Sequence, residues 1–262
     1  MTIEQFDWRR ATDADVTHQY TPAQHAKRPL PEYLAEYHDI SSRFDANSLL
    51  IPGAPLLIYI HGGYWQRLSA ADSLFNASDA ISEKISLHAV EYTIAPAGTI
   101  EQMIQECISD VLRIITQLEP THVVLAGCSA GAHLTAMCGR DERIASHLSG
   151  VALLSGIYDI RPLVVTPIND PLGLDEVRAT SLSPILLPDA VTPSHALLAV
   201  GYHESDEFKR QNRSYGDHLH LRGTQVETIV VEGRDHFDLP YDLLDRNTAV
   251  GKWVLCRLGK QQ

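Results

Sequence analysis

The stretch VVLAGCSAGAHL at residues 123–134 restricts the fold of this chain more than any other. A β-branched, apolar run stops at a Gly-x-Ser-x-Gly sequence, and helix-forming residues follow at once. In that context the motif predicts a sharp strand-to-helix turn that holds Ser129 in a strained backbone conformation, with its hydroxyl in open space. Gly127 and Gly131 supply the positions where a Cβ atom would clash. We therefore interpret Ser129 as a nucleophile, the alternative being a serine in an ordinary turn.

The rest of the chain alternates apolar runs with helical patterns. Strands are predicted at residues 56–60, 87–93, 123–126, 151–154, 196–200 and 226–231, and those at 56–60 and 151–154 are predicted to be buried. Helices are predicted at residues 31–40, 70–84, 104–118, 129–139, 208–219 and 243–258. Strands that alternate with helices in this way are typical of the α/β class, with a mostly parallel central sheet and helices on both faces.

The chain is predicted to form one main domain. No linker, low-complexity tract or internal repeat divides its 262 residues. We predict an α/β domain over residues 53–262, preceded by an N-terminal extension over residues 1–52 that packs on or over the site. Residues 155–193 are rich in Pro and Asp and show no sustained period, so we predict a loop-rich insertion that forms a wall or lid of the site.

Composition and charge limit the classes of partner that the protein can bind. The formal net charge of −12 argues against nucleic acid and anionic membranes, because both are polyanions. We expect a small-molecule substrate, and a homodimer is compatible with the sequence. The N-terminus lacks an apolar core of signal-peptide length, and no run approaches the roughly 18 apolar residues of a membrane span, so we expect a cytoplasmic location. The four cysteines show no C-x-x-C spacing, and we expect no metal site and no cofactor.

The sequence His-Gly-Gly at residues 61–63 comes directly after the predicted strand at residues 56–60. Consecutive glycines after a strand let backbone N–H groups approach a ligand closely. We expect the N–H groups of Gly62 or Gly63, together with that of Ala130 after the serine, to form an oxyanion hole. The alternative is that the two glycines only make a turn.

Two aromatic residues, Tyr64 and Trp65, follow these glycines. Their position beside the predicted oxyanion hole makes them candidates for the wall that binds the substrate. Burial in the core is the alternative for both side chains, because large aromatic residues often fill a core. We predict Tyr64 and Trp65 as substrate-binding residues.

A nucleophilic serine needs a base and an acid, which follow it in the order Ser, acid, His when the serine lies in such a turn. Of the 13 histidines, His236 is the one that lies downstream of Ser129 in the loop after the last predicted strand. The loop after the preceding strand carries Glu204 and Asp206, and Asp159 follows the strand before that. We favour Glu204 as the acid and keep Asp206 and Asp159 as alternatives. Asp206 is typical of an acid in the first turn of a helix.

Beyond single motifs, the chain resembles the arylformamidases, the serine-dependent kynurenine formamidases of the α/β-hydrolase superfamily. Matching stretches cover roughly residues 55–240; they are HGGYWQ at 61–66, IAPAGTIEQM at 94–103, GCSAGAHL at 127–134, SGIYDIRPL at 155–163, NDPL at 169–172 and RDHFD at 234–238. The resemblance implies the α/β-hydrolase fold. It also implies hydrolysis of an aryl formamide, most simply N-formylkynurenine to kynurenine and formate, through a formyl-enzyme and without a metal.

Residue by residue, the resemblance implies that Ser129 is the nucleophile, that His236 is the base and that Glu204 stands at the position of the family's Asp. Two positions depart from the family pattern, since Glu204 replaces Asp and Cys128 stands where His is usual. A longer acid can still orient an imidazole. The nearest alternative function is a small-acyl carboxylesterase, followed by a lyase on the same scaffold and a catalytically silent binding module.

Overall fold

The computed structural model describes residues 6–188 and 191–260. Six strands in these ranges form one parallel sheet in the order β2-β1-β3-β4-β5-β6. The strands are β1 (Leu56–Ile60), β2 (Ser86–Val90), β3 (Val123–Cys128), β4 (Gly150–Leu154), β5 (His195–Gly201) and β6 (Gln225–Val231). The predicted α/β class is confirmed.

The helices lie between and around these strands. In the described part of the chain they are α1 (Asp13–Gln19), α2 (Leu30–Ser41), α3 (Ala77–Glu83), α4 (Ile100–Leu118), α5 (Ala130–Cys138), α6 (Glu142–Ala145), α7 (Glu176–Ser181), α8 (Asp206–His220) and α9 (Ala249–Arg257). None of the helices in that part of the chain has the length and apolar character needed to cross a bilayer.

Apolar cores cover both faces of the sheet, because successive side chains of a strand point to opposite sides. In β1, Leu56, Ile58 and Ile60 enter one core, whereas Leu57 and Tyr59 enter the other. The first core is completed by α4, α5 and α8. The second is completed by α3 and α9. A strand that is buried on both faces is therefore continuously apolar, as β1 is.

The strand order reverses between β1 and β3. The chain passes from β1 to its neighbour β2, returns to the other side of β1 as β3, and then continues outward to β6. The loops after β1 and β3 leave the sheet in opposite directions, and such a switch point opens a crevice at the carboxyl ends of the strands. These loops begin at His61 and Ser129. The topology thus brings the His-Gly-Gly sequence and the predicted nucleophile to one crevice.

The helix predicted at residues 70–84 and the strand predicted after it are both shorter than expected. The pattern at residues 70–84 forms a 3₁₀ turn at Ala70–Asp72 and a separate helix, α3. Hydrogen bonds to side chains interrupt the helix between these two elements. The Ser73 hydroxyl donates to the Ser69 carbonyl, and the Leu74 N–H donates to the Ser41 hydroxyl. The strand predicted at 87–93 likewise ends at residue 90, three residues early.

The closing helix, predicted at residues 243–258, begins only at Ala249. A 3₁₀ turn at Leu239–Leu243 precedes it. Asp245 accepts a hydrogen bond from the Asn247 N–H and so holds a turn, and Thr248 then caps α9 by accepting from the N–H of its third residue. Local side-chain bonds therefore set the start of this helix.

The N-terminal segment contacts the sheet at the carboxyl ends of β5 and β6. The Tyr20 hydroxyl donates to Glu207 Oε1 in the first turn of α8, at 2.7 Å. The Lys27 N–H and the Tyr33 hydroxyl both donate to Asp235 Oδ2 in the loop after β6, at 2.8 and 2.6 Å. This segment is thus hydrogen-bonded to the loops that follow two adjacent strands.

We expect Gly131→Ala to lower the free energy of unfolding by about 3 kcal/mol, because a Cβ at Gly131 would lie 2.0 Å from the Ile60 carbonyl oxygen. Gly139→Ala, at the end of the same helix, is the matched control. Its Cβ would lie 3.3 Å from the nearest atom, and its backbone is already right-handed helical, so we expect a change within about 1 kcal/mol. Urea denaturation measures both variants, and equal losses would contradict the packing described.

Candidate active site

Ser129 lies at the turn between β3 and α5. Its φ of +58° and ψ of −121° place a residue with a side chain in a region that favours glycine. The Ser129 N–H donates to the Leu154 carbonyl at the end of β4, at 2.8 Å, and holds the turn against the neighbouring strand. Ala130 is the first residue of α5, so its N–H is one of the helix donors without an intrahelical acceptor.

Close backbone packing explains the glycines around Ser129. A Cβ on Gly127 would lie 2.3 Å from the Gly131 carbonyl oxygen. A Cβ on Gly62 would lie 2.8 Å from the Cys128 carbonyl oxygen and 3.3 Å from Ser129 Cβ. The loop after β1 therefore rests directly on the turn after β3, with no space for a side chain between them.

Tyr92 orients the peptide groups of that loop. Its hydroxyl lies 2.9 Å from the His61 carbonyl oxygen and 3.3 Å from that of Gly62, and its ring stacks on the His61 ring with centroids 4.2 Å apart. In a trans peptide the N–H points away from the C=O. The N–H groups of Gly62 and Gly63 therefore point away from Tyr92, on the opposite side of the loop. Tyr92 belongs to no sequence motif, so its role becomes visible only in the structure.

His236 and Glu204 form a buried hydrogen-bonded pair. His236 Nδ1 lies 2.7 Å from Glu204 Oε2, and the two residues are 5% and 4% exposed. The other oxygen of Glu204 accepts from the Ser155 hydroxyl and from the Gly201 N–H, each at 2.6 Å. Both carboxylate oxygens are thus held by donors. The bond through Nδ1 leaves Nε2 of His236 available to a second partner.

The two alternative acids lie elsewhere. Asp159 is paired with Arg161, whose Nε and Nη2 donate to it at 2.9 and 2.8 Å. Asp206 is exposed in the first turn of α8. The structure therefore brings Glu204, and neither Asp159 nor Asp206, to His236. Ser155, which no sequence signal marks as a site residue, joins this pair through its hydrogen bond to Glu204.

A cavity of about 310 Å³ opens at the switch point of the sheet. Ser129, His236, Gly62 and Gly63 all line it. The remaining walls are mainly apolar and aromatic side chains from the N-terminal segment, β1 and two loops, among them Leu30, Leu34, Tyr37, Tyr59, Ile168 and Phe237. A mostly apolar cavity with a few converging polar groups is the usual form of a small-molecule site.

Tyr64 and Trp65, the two aromatic residues predicted to bind the substrate, lie in different environments in the structure. Tyr64 lines the cavity, and its hydroxyl donates to the Tyr20 carbonyl at 2.6 Å. Trp65 is fully buried and packs edge-on against His133, with ring centroids 5.2 Å apart. The prediction of Trp65 as a substrate-binding residue is thus corrected. Positive φ values at both residues turn the chain, so the two rings take different directions.

Cys128 also lines the cavity, next to Ser129. Burial raises the pKa of its thiol well above the usual range, and the nearby Glu204 carboxylate adds to this effect. The thiol is therefore neutral at physiological pH, with its Sγ 3.8 Å from the His236 carbonyl oxygen.

As for a metal, no group of three or more His, Cys, Asp or Glu side chains suited to hold one occurs among residues 6–188 and 191–260.

Comparison with known proteins identifies the family. Residues 57–238 match a family model described as alpha/beta hydrolase fold. A kynurenine formamidase from Danio rerio is 35% identical over 218 residues, which cover 80% of this chain and 74% of the relative. One from Drosophila melanogaster is 32% identical over 202 residues, which cover 71% of this chain and 67% of the relative. The chain belongs to the kynurenine formamidase family of α/β-hydrolases.

Solved structures agree with this assignment at the level of the fold. A crystal structure of a candidate thioesterase from Silicibacter sp. superposes with a TM-score of 0.82 and 20% identity, covering 92% of this chain and 98% of that one. A thermostable carboxylesterase from a metagenomic library gives a TM-score of 0.69 and 13% identity, covering 88% and 97%. The α/β-hydrolase fold that the sequence resemblance implies is confirmed.

For this member of the kynurenine formamidase family, we expect Glu204→Gln to lower kcat by at least about 100-fold. An amide at this position no longer fixes the His236 tautomer or stabilises an imidazolium. The matched control is Asp206→Asn, which removes a nearby exposed carboxylate and should leave kcat within about twofold. Steady-state kinetics of both variants checks this, and the reverse order of effects would contradict the placement of the acid.

Proposed function

We propose that this protein is a serine hydrolase that cleaves an aryl formamide, with N-formylkynurenine as the substrate and kynurenine and formate as products. The observation that supports it most is the buried pair of Glu204 and His236 lining the same cavity as Ser129. Membership of the kynurenine formamidase family supports the choice of substrate. We propose no metal or cofactor for the reaction.

The first half of the proposed reaction forms a covalent intermediate. Ser129 Oγ attacks the formyl carbon while His236 Nε2 takes the serine proton, and Glu204 stabilises the resulting imidazolium. The N–H groups of Gly62 or Gly63 and of Ala130 donate to the oxyanion. His236 then gives the proton to the aniline nitrogen, the C–N bond breaks, and the aryl amine leaves a formyl ester on Ser129.

The second half hydrolyses this ester. A water molecule attacks the formyl carbon as His236 accepts its proton, and the same N–H groups hold the second oxyanion. Collapse of this intermediate returns the proton to Ser129 Oγ and releases formic acid, which ionises to formate in water. The protein is thereby restored to its starting state, with no change of oxidation state at any step.

The packing around Ser129 supports a small acyl group. The loop after β1 lies so close that a Cβ on Gly62 would stand 3.3 Å from Ser129 Cβ. Space next to the nucleophile is therefore limited on that side. In this proposal the aryl group occupies the wider, aromatic part of the cavity, enclosed by the N-terminal segment and by Ile168 of the insertion.

A small-acyl carboxylesterase is the second candidate function, since it would use the same nucleophile, base and oxyanion hole. An aryloxide leaves without needing a proton from the base, whereas an aniline nitrogen must be protonated as it leaves. The two functions therefore differ in the acyl group and the leaving group, and a substrate series distinguishes them.

Replacing Ser129 or His236 with Ala should lower kcat by roughly 10⁴-fold or more, leaving the contribution of the oxyanion hole and of binding. Steady-state hydrolysis of N-formylkynurenine measures the loss, and circular dichroism checks that each variant is folded. Cys128→Ala is the control next to the nucleophile and should retain activity within about tenfold. If either triad variant kept about a tenth of the wild-type kcat, the assigned roles would be wrong.

We further expect a formyl aryl amide to exceed its acetyl counterpart in kcat/KM by roughly 10- to 200-fold, because an added methyl group overpacks the space beside Ser129. The measurement uses formyl, acetyl and butyryl members of one aryl amide series, with the matching aryl esters alongside. A rise in kcat/KM from formyl to butyryl, or activity confined to the esters, would favour the carboxylesterase instead.

A further inference from the structure

Arg67 lines the same cavity as Ser129. It follows the His-Gly-Gly loop, and its backbone is packed on that loop, since a Cβ on Gly63 would lie 2.4 Å from the Arg67 carbonyl oxygen. The position of Arg67 is therefore fixed relative to the glycines of the proposed oxyanion hole. Its side chain is exposed at the cavity and is long enough to reach a ligand that occupies it.

The guanidinium of Arg67 carries a charge that no acidic side chain in residues 6–188 and 191–260 neutralises. Several other arginines have close acidic partners: Arg161 pairs with an aspartate at 2.8 Å, and Arg210 and Arg234 each pair with a carboxylate at 2.5 Å. Among the residues that the structure describes, Arg67 has no hydrogen-bond or ion-pair partner for its guanidinium. The charge of Arg67 is therefore open to solvent and to a ligand in the cavity.

No competing fixed charge lies in the described lining of the cavity. Of its described lining residues, Arg67 is the one with a permanent charge, and no Asp or Glu is among them. Neighbouring polar groups already have partners, since Gln66 Nε2 donates to the Ile168 carbonyl at 2.8 Å and the Tyr64 hydroxyl donates to the Tyr20 carbonyl at 2.6 Å. Arg67 therefore remains as the charged donor that a ligand can use.

We propose that Arg67 binds a carboxylate on the aryl part of the substrate, so that the protein prefers anionic aryl formamides to neutral ones. A guanidinium offers a planar pair of N–H donors that matches a carboxylate. This inference rests on the proposed function, because it assigns the recognition of the side chain to the same cavity. Arg67 acts here in binding and takes no part in the chemical step.

Three substrates separate the carboxylate from the rest of the molecule. N-formylkynurenine carries a carboxylate and an ammonium group, 4-(2-formamidophenyl)-4-oxobutanoate carries the carboxylate alone, and 2-formamidoacetophenone carries neither. Each is tested with the wild type and with Arg67→Gln and Arg67→Lys. Arg213→Gln is the matched control, because Arg213 is also exposed but lies on α8 and does not line the cavity.

We expect Arg67→Gln to lower kcat/KM about 10-fold for both carboxylate substrates, through KM. This lies between the few-fold effect of an exposed ion pair and the roughly 100-fold effect of a desolvated charged hydrogen bond. The neutral substrate should change by less than about twofold. Arg67→Lys should keep part of the preference, because it retains the charge and loses the planar donor pair. Arg213→Gln should leave all three values unchanged.

A parallel binding measurement does not depend on hydrolysis. Calorimetry should show that Arg67→Gln weakens the binding of kynurenine about 10-fold and leaves that of 2-aminoacetophenone unchanged. Equal losses for anionic and neutral ligands, or no loss for either, would overturn the role of Arg67. If the wild type hydrolysed no formamide but still bound kynurenine through Arg67, the proposed function would fail while this inference stood.

Discussion

The structure depends on backbone contact between the carboxyl ends of β1 and β3. A Cβ on Gly131 would lie 2.0 Å from the Ile60 carbonyl oxygen, and one on Gly62 would lie 2.8 Å from that of Cys128. Only glycine permits this approach, and it fixes the His-Gly-Gly loop against the turn that carries Ser129. The proposed nucleophile and N–H donors thus lie directly after the ends of two strands, in backbone that is packed together, which suits preorganised stabilisation of charge.

The remaining polar groups of the site come from the next three strands. Ser155 follows β4, Glu204 follows β5 and His236 follows β6, and hydrogen bonds of 2.6 and 2.7 Å join them in that order. Because parallel strands end at one edge of the sheet, residues far apart in sequence form one buried network there. The N-terminal segment closes over this edge through Asp235, which links it to the loop that carries His236.

Local sequence signals explain which parts of this arrangement could be predicted. Buried strands are short apolar runs, and chain order in a parallel sheet brings Glu204 and His236 to one edge. Ser155 carries no such signal, since its role exists only once Glu204 lies beside it. Trp65 was misplaced because a positive φ turns its ring into the core, and sequence does not show that turn. The role proposed for Arg67 rests on its place in the cavity wall and on a guanidinium without a partner among the described residues, and the sequence shows neither.

The central claim is that an aryl formamide is cleaved through a formyl ester on Ser129, and product partitioning tests it most directly. Hydroxylamine is added during hydrolysis of N-formylkynurenine and of formanilide, and the ratio of formohydroxamate to formate is measured. A common formyl-enzyme predicts the same ratio from both substrates, because the aryl amine leaves before the second nucleophile attacks. A ratio that differs between the two substrates, or hydrolysis that yields no formohydroxamate, would contradict the account.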